Sequence, residues 1–163
     1  MYWIGFDIGS SSIKAALISA DDGSFVSMAQ YPEKEMAITS IKPGWAEQDP
    51  EVWWQNLCIA SKKLLFENSI DKKDIKGIGI SYQMHGLVVV GKDLKPLRPS
   101  IIWCDSRAIE IGDQLFKTAG AEKCVEHLLN SPGNFTLSKL IWIKENEPEI
   151  YNRIYKFMLP GDF

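Results

Sequence analysis

The sequence predicts an α/β fold with strands of mixed direction. Three apolar runs near the N-terminus, Tyr2 to Phe6, Ile13 to Ile18 and Phe25 to Tyr31, are separated by short turns and make an antiparallel meander. Strand-like and helix-like segments then alternate along the rest of the chain. Polar clusters fall where strands end, at Asp7 to Ser12, at Gln83 to His85 and at Asp105. Ligands of α/β sheets gather beyond such strand ends, so these three clusters are the first candidates for a site.

Each element has a local reason. Asp22-Gly23 is the turn before the third strand, and Pro32 to Lys42 reads as irregular. Asp49 fits an N-cap and Pro50 the first helical position of a helix whose apolar face repeats at Trp53, Leu57, Ala60 and Leu64. Trp53 and Trp54 are expected against the sheet, whereas Trp45 precedes the cap and is a candidate cleft residue. Lys76 to Ser81 and Leu87 to Val90 read as strands, with Tyr82 to Gly86 between them. Pro96 and Pro99 break the chain around a turn at Lys92 to Arg98. Ser100 to Cys104 is strand-like and ends at Asp105. A helix from Ser106 carries Ala108, Ile111, Leu115 and Ala119, and Gly120 stops it. Cys124 to Leu129 marks a further short helix. Thr136 is expected to cap the next one, Pro148 to start another, and Lys156 to Leu159 to form a last strand.

Composition narrows the class. A chain of 163 residues can bury one proper core, and 45% hydrophobic with 24% charged residues is ordinary for a soluble globular protein. A net charge of −3 provides no basic footprint for nucleic acid. Cys58, Cys104 and Cys124 are odd in number and lack C-x-x-C spacing, which predicts reduced, mostly buried thiols in a reducing compartment. No signal-like N-terminus and no apolar run of membrane-spanning length occurs, so the expected location is the cytoplasm, with no membrane partner.

The stretch YWIGFDIGSSSIK carries the first chemistry. Gly9 lets the backbone turn sharply, and Ser10, Ser11 and Ser12 with their N–H groups can face phosphate oxygens. The Asp7 carboxylate can hold a divalent cation, through water in the case of magnesium. The plainer alternative is a hairpin whose Asp and Ser side chains only satisfy the turn backbone. It is neither a P-loop nor a dinucleotide fingerprint, since G-x-x-x-x-G-K-[ST] and G-x-G-x-x-G are both absent.

This hairpin resembles the first phosphate-binding hairpin of the actin, hexokinase and Hsp70 superfamily, which implies a ribonuclease H-like domain. FDIGSSSIK, GWAEQDP, SYQMHG and PSIIWCDSR, in this order, are together similar to the N-terminal domain of the FGGY carbohydrate kinases, with the nearest likeness to those that phosphorylate xylulose. NFTLSKLIWIKENEPEI and KFMLPGDF resemble the segments that follow, so the likeness runs the whole length. It implies transfer of the γ-phosphoryl group of ATP, with Mg2+, to a hydroxyl of an open-chain ketose such as D-xylulose. Asp7 would stand near the transferring phosphate and its magnesium, and Ser10, Ser11 and Ser12 along the phosphate path. Met84 would pack on sugar carbons, His85 and Asp105 would bond sugar hydroxyls, and Gln83 and Trp103 rank second.

Plainer roles stand beside these. His85 is alternatively structural, and Asp105 a helix cap. Lys14 reads as an outward strand residue, His127 as a surface residue, and Arg107 as a surface cation paired with Glu110. Other sugars (gluconate, ribulose) and a non-catalytic actin-like binding module remain as alternatives. Glycerol fits less well, because glycerol kinases typically carry Arg-Glu where this chain has Met84-His85. Kinases of this family are longer, with a general-base Asp and an adenine-binding second domain beyond this stretch. Residues 1–163 are therefore expected to be most of the N-terminal domain and inactive alone, with uncovered faces that favour a homodimer.

Overall fold

Alternation of apolar and polar residues carries the first strand two residues further than the apolar run suggests. The computed structural model describes residues 1–163. In chain order the first elements are β1 (Tyr2–Ile8), β2 (Ile13–Ser19), β3 (Phe25–Tyr31), β4 (Glu47–Gln48), α1 (Pro50–Glu67) and β5 (Ile75–Tyr82). They are followed by β6 (Val88–Val90), β7 (Ser100–Ile101), α2 (Ile109–Ala119), α3 (Ala121–Leu128), α4 (Thr136–Asn146), α5 (Pro148–Tyr151) and β8 (Lys156–Met158). Backbone contacts divide the chain into two compact units, one of Met1–Ala37 with Pro50–Gln83 and one of Ile38–Asp49 with Met84–Phe163.

The first unit is a four-stranded sheet in the order β3-β2-β1-β5, antiparallel except that β5 runs parallel to β1. β1 buries Ile4, Phe6 and Ile8 on one face and exposes Trp3 and Asp7 on the other, because successive side chains alternate. Asp7 therefore lies inside the strand, opposite Lys14 of β2, rather than at its end. α1 covers β2 and β3 and buries Trp53, Asn56, Ala60 and Leu64. Trp54 is a correction: it is 58% exposed, because it falls just off that buried stripe. Ile78 and Ile80 of β5 are also exposed, since α1 does not reach over that edge of the sheet.

The second unit centres on Leu87, Val89, Ile101 and Ile143, against which Leu97, Leu140, Trp142 and Ile150 pack. Two short antiparallel pairs, β4 with β7 and β6 with β8, frame it. Here several local expectations give way. The Ser100 strand stops at Ile101, because the Asp105 N–H turns back to the Ile102 carbonyl. α2 begins at Ile109 rather than Ser106, with no side-chain cap, because the Ser106 N–H and hydroxyl are both taken by the Gly44 carbonyl. The residue before α4 is Phe135, not Thr136, whose hydroxyl donates instead to the Gly86 carbonyl at 3.2 Å. All three cysteines are free, but only Cys124 is buried; Cys58 is half-buried and Cys104 exposed. No helix is long and apolar enough to cross a membrane.

Candidate active site

The first unit holds the phosphate-facing candidates. Gly9 closes the β1–β2 hairpin with its N–H on the Ser12 carbonyl at 3.2 Å, and a Cβ on Gly9 would stand 3.0 Å from that same oxygen. Such close approach explains a glycine here. Ser10 and Ser11 lie at the turn, and the Ser11 carbonyl accepts the Met36 N–H at 2.8 Å. Ser12 is buried and begins the return of the chain into β2. Asp7 and Lys14 form an ion pair at 3.3 Å with both side chains about half exposed. An exposed pair of this kind adds little stability, on the order of 0–1 kcal/mol, so it leaves the carboxylate free to change partners. Gln83 ends this unit, its N–H on the Ile8 carbonyl at 2.9 Å. Both ends of its side-chain amide are buried without a protein partner, which equips it to meet a ligand hydroxyl.

Whether these residues suit a magnesium–nucleotide is answered by their chemistry. No group of three His, Cys, Asp or Glu side chains that could hold a metal ion occurs. Magnesium keeps several waters and is commonly bound through one or two carboxylates plus phosphate oxygens, so a single half-exposed Asp7 beside a hairpin of hydroxyls and N–H groups fits.

The second unit holds the sugar-facing candidates. Met84 is exposed and Trp103 half exposed, so each offers an apolar surface to solvent. His85 adopts a left-handed backbone, φ 60°. For a residue with a Cβ that conformation costs roughly 1–2 kcal/mol, so it persists only where neighbours enforce it. Here the enforcement is visible. The His85 ring stacks on Phe135 with centroids 4.4 Å apart and planes 14° from parallel. The Lys139 ammonium donates to the His85 carbonyl at 2.9 Å, and Thr136 holds the Gly86 carbonyl. Burial, with the Lys139 charge adding, pulls the His85 pKa below its ordinary 6.5. At neutral pH its imidazole is therefore uncharged, with one donor and one acceptor nitrogen.

Asp105 is 1% exposed, and its carboxylate is already in use. One oxygen accepts the Arg107 N–H and Nε, both at 2.9 Å; the other accepts the Ala46 N–H at 2.6 Å and Arg107 Nη2 at 2.7 Å. It is neither a helix cap nor, in this arrangement, an open acceptor for a sugar hydroxyl. It braces the loop that follows Trp103. Arg107 is likewise not a surface partner of Glu110. It is buried, lies 2.7 Å from Glu47, and stacks 3.7 Å from the Trp45 ring. Glu47 also pairs with Arg98, which pairs with Glu147. Trp45 thus belongs to this buried cluster, edge-on to Trp142 with centroids 5.2 Å apart. His127 is exposed, as expected.

The residue that sequence reasoning missed is Lys139. Its side chain is wholly buried, and besides His85 it donates to the Asn134 carbonyl at 2.6 Å. A signal existed: Lys139 stands four residues before Ile143 on α4, on the face that meets the core.

The sequence pattern described as the FGGY family of carbohydrate kinases, N-terminal domain, matches residues 2–163. The chain belongs to the FGGY family of carbohydrate kinases. It is 37% identical over 161 residues to the xylulose kinase of Klebsiella pneumoniae, covering 99% of this chain and 32% of that protein. With the xylulose kinase of Staphylococcus xylosus it shares 36% over 163 residues, again 99% of this chain and 32% of the relative. Among solved structures, a xylulose kinase from Rhodospirillum rubrum superposes with a TM-score of 0.85 at 27% identity, over 99% of this chain and 33% of that one. A gluconate kinase from Lactobacillus acidophilus superposes with a TM-score of 0.79, also at 27% identity, over 98% and 31%. The chain thus spans about a third of the length of the relatives it matches. The actin- and hexokinase-like fold expected from the hairpin is the fold of this FGGY group, and the mixed sheet with flanking helices agrees with it.

Proposed function

We propose that this chain supplies most of the N-terminal domain of an ATP-dependent ketose kinase, with D-xylulose as the substrate. The observation that carries the reading is the enforced Met84–His85 turn, an exposed apolar side chain followed by a neutral imidazole, in a chain similar along its whole length to xylulose kinases. Magnesium-bound ATP would supply the phosphoryl group and neutralise charge on it, the main demand of this chemistry. Asp7 would hold that magnesium through water, exchanging its contact with Lys14. The Gly9–Ser12 hairpin would present N–H groups and hydroxyls to phosphate oxygens. Met84 and the Trp103 ring would pack on sugar carbons, while His85 would bond hydroxyls. Asp105 would keep the Trp103 segment in place, and with both oxygens in use it is not available as a general base. The reading places the protein in solution in the cytoplasm.

The test is ADP release from ATP and magnesium with D-xylulose, L-xylulose, D-ribulose, gluconate and glycerol in turn, using the protein as its gene encodes it. Turnover dependent on D-xylulose supports the reading. A preference for gluconate, the substrate named for one structural relative, would move it to another branch. ATP turnover with none of the five, or no nucleotide binding at all, would favour a non-catalytic binding module.

A further inference from the structure

We propose that Lys139 is a positioning residue for sugar recognition, its buried ammonium fixing the two sugar-facing segments of the second unit in one arrangement. This rests on the ketose-kinase reading and extends it to a residue that touches no substrate.

The segment Asn134–Lys139 grips three backbone carbonyls, and each belongs to a sugar-facing stretch. Lys139 Nζ donates to the His85 carbonyl, Thr136 Oγ1 to the Gly86 carbonyl, and Asn134 Nδ2 to the Trp103 carbonyl at 2.8 Å. Lys139 Nζ also donates to the Asn134 carbonyl. One ammonium therefore ties the Met84–His85 turn directly and Trp103 through Asn134. No element of ordinary packing requires a charge there. Lysine is almost never fully buried without a partner, and Trp142 and Ile143, one turn further along the helix, are apolar. The charge instead does what a methionine of similar length would not, since hydrogen bonds from an ionised donor are about twice as strong as neutral ones. The left-handed His85 backbone is the feature that needs such a hold.

The groups that bear on this ammonium are Asp105, Cys104, Arg107 and the His85 imidazole. Burial brings the Lys139 pKa down to about 8. The imidazole is already neutral in that range, and partial desolvation pushes the thiol of the otherwise exposed Cys104 above its ordinary 9. Between pH 7 and 9, loss of the Lys139 proton is thus the change these groups would show first.

The experiment is steady-state kinetics of D-xylulose phosphorylation across pH 6.5–9.5 for the wild type and Lys139→Met, in the protein as its gene encodes it. The expected result is a KM for D-xylulose raised about tenfold to a hundredfold in Lys139→Met, the scale of a displaced substrate-positioning group, with the KM for ATP changed less than about threefold. In the wild type the KM for D-xylulose should climb as pH passes about 8, and in Lys139→Met it should be flat there. If Lys139→Met does not fold, the wild-type profile decides: a flat KM for D-xylulose from pH 7 to 9 overturns the proposal. An unchanged KM in a folded variant overturns it as well. A wild type active on D-xylulose with either result refutes the role of Lys139 alone, whereas a wild type with no D-xylulose activity refutes the ketose-kinase reading and this inference with it.

Discussion

At the scale of single residues, Asp105 and Lys139 carry opposite lessons about buried charge. Asp105 neutralises Arg107, and removing one partner of a buried pair strands the other. Asp105→Ala should therefore lower the unfolding free energy by about 3–5 kcal/mol in urea denaturation, a large part of a typical domain's stability. A loss within about 0.5 kcal/mol, the range of ordinary surface changes, would show that the carboxylate is not the brace we describe. Lys139 is instead held at a cost. Its pKa falls from 10.5 to about 8 because burial disfavours the ammonium, so the unfolded chain binds more protons than the folded one between those values. Stability contributed by this group must then rise with pH across that window, by about 3 kcal/mol in all at 1.36 kcal/mol per pH unit. The Cys104 thiol, raised by partial desolvation, acts with the opposite sign above pH 9 and is present in both wild type and Lys139→Met, so the comparison of the two reads chiefly the lysine. Equal pH slopes for the two proteins from pH 8 to 10.5 would contradict the assignment.

At the scale of elements, what pattern and turn chemistry dictate was legible, and what depends on distant partners was not. β3 runs from Phe25 to Tyr31 and α1 starts at Pro50, because a two-residue period and a proline at the first helical position are local facts. The start of α2 and the residue before α4 were misplaced, since the Ser106 hydroxyl goes to Gly44 and the Thr136 hydroxyl to Gly86, each at least 50 residues away in sequence. The candidate site divides in the same way. The residue types at Asp7, Met84 and His85 are readable from their motifs, but the full use of Asp105 and the burial of Lys139 exist only once distant segments are packed. One contact sets the element scale. A Cβ on Gly112 of α2 would lie 2.1 Å from the Gly133 Cα, in the turn that carries Asn134. Gly112→Ala must push that backbone away, at about 1–3 kcal/mol for an overpacked site. The same shift should raise the KM for D-xylulose through Asn134 and Trp103. Unchanged stability and KM would mean that the turn gives way freely.

For the whole molecule, backbone contacts divide the 163 residues into two compact units, a division no linker or composition change announces. The chemistry divides with them: Asp7 and the Gly9–Ser12 hairpin lie in the first, Met84, His85 and Trp103 in the second. We propose that the first serves the phosphate and the second the sugar. Steady-state kinetics of D-xylulose phosphorylation for Asp7→Asn and His85→Ala, measured side by side, test it most directly. Asp7→Asn should lower kcat by about 10²-fold or more, the scale for losing one preorganised electrostatic group, with little change in the KM for D-xylulose. His85→Ala should raise the KM for D-xylulose by about tenfold, the equivalent of one hydrogen bond, and leave the KM for ATP unchanged. Normal turnover in Asp7→Asn, or a His85→Ala defect confined to ATP, would contradict the division of roles.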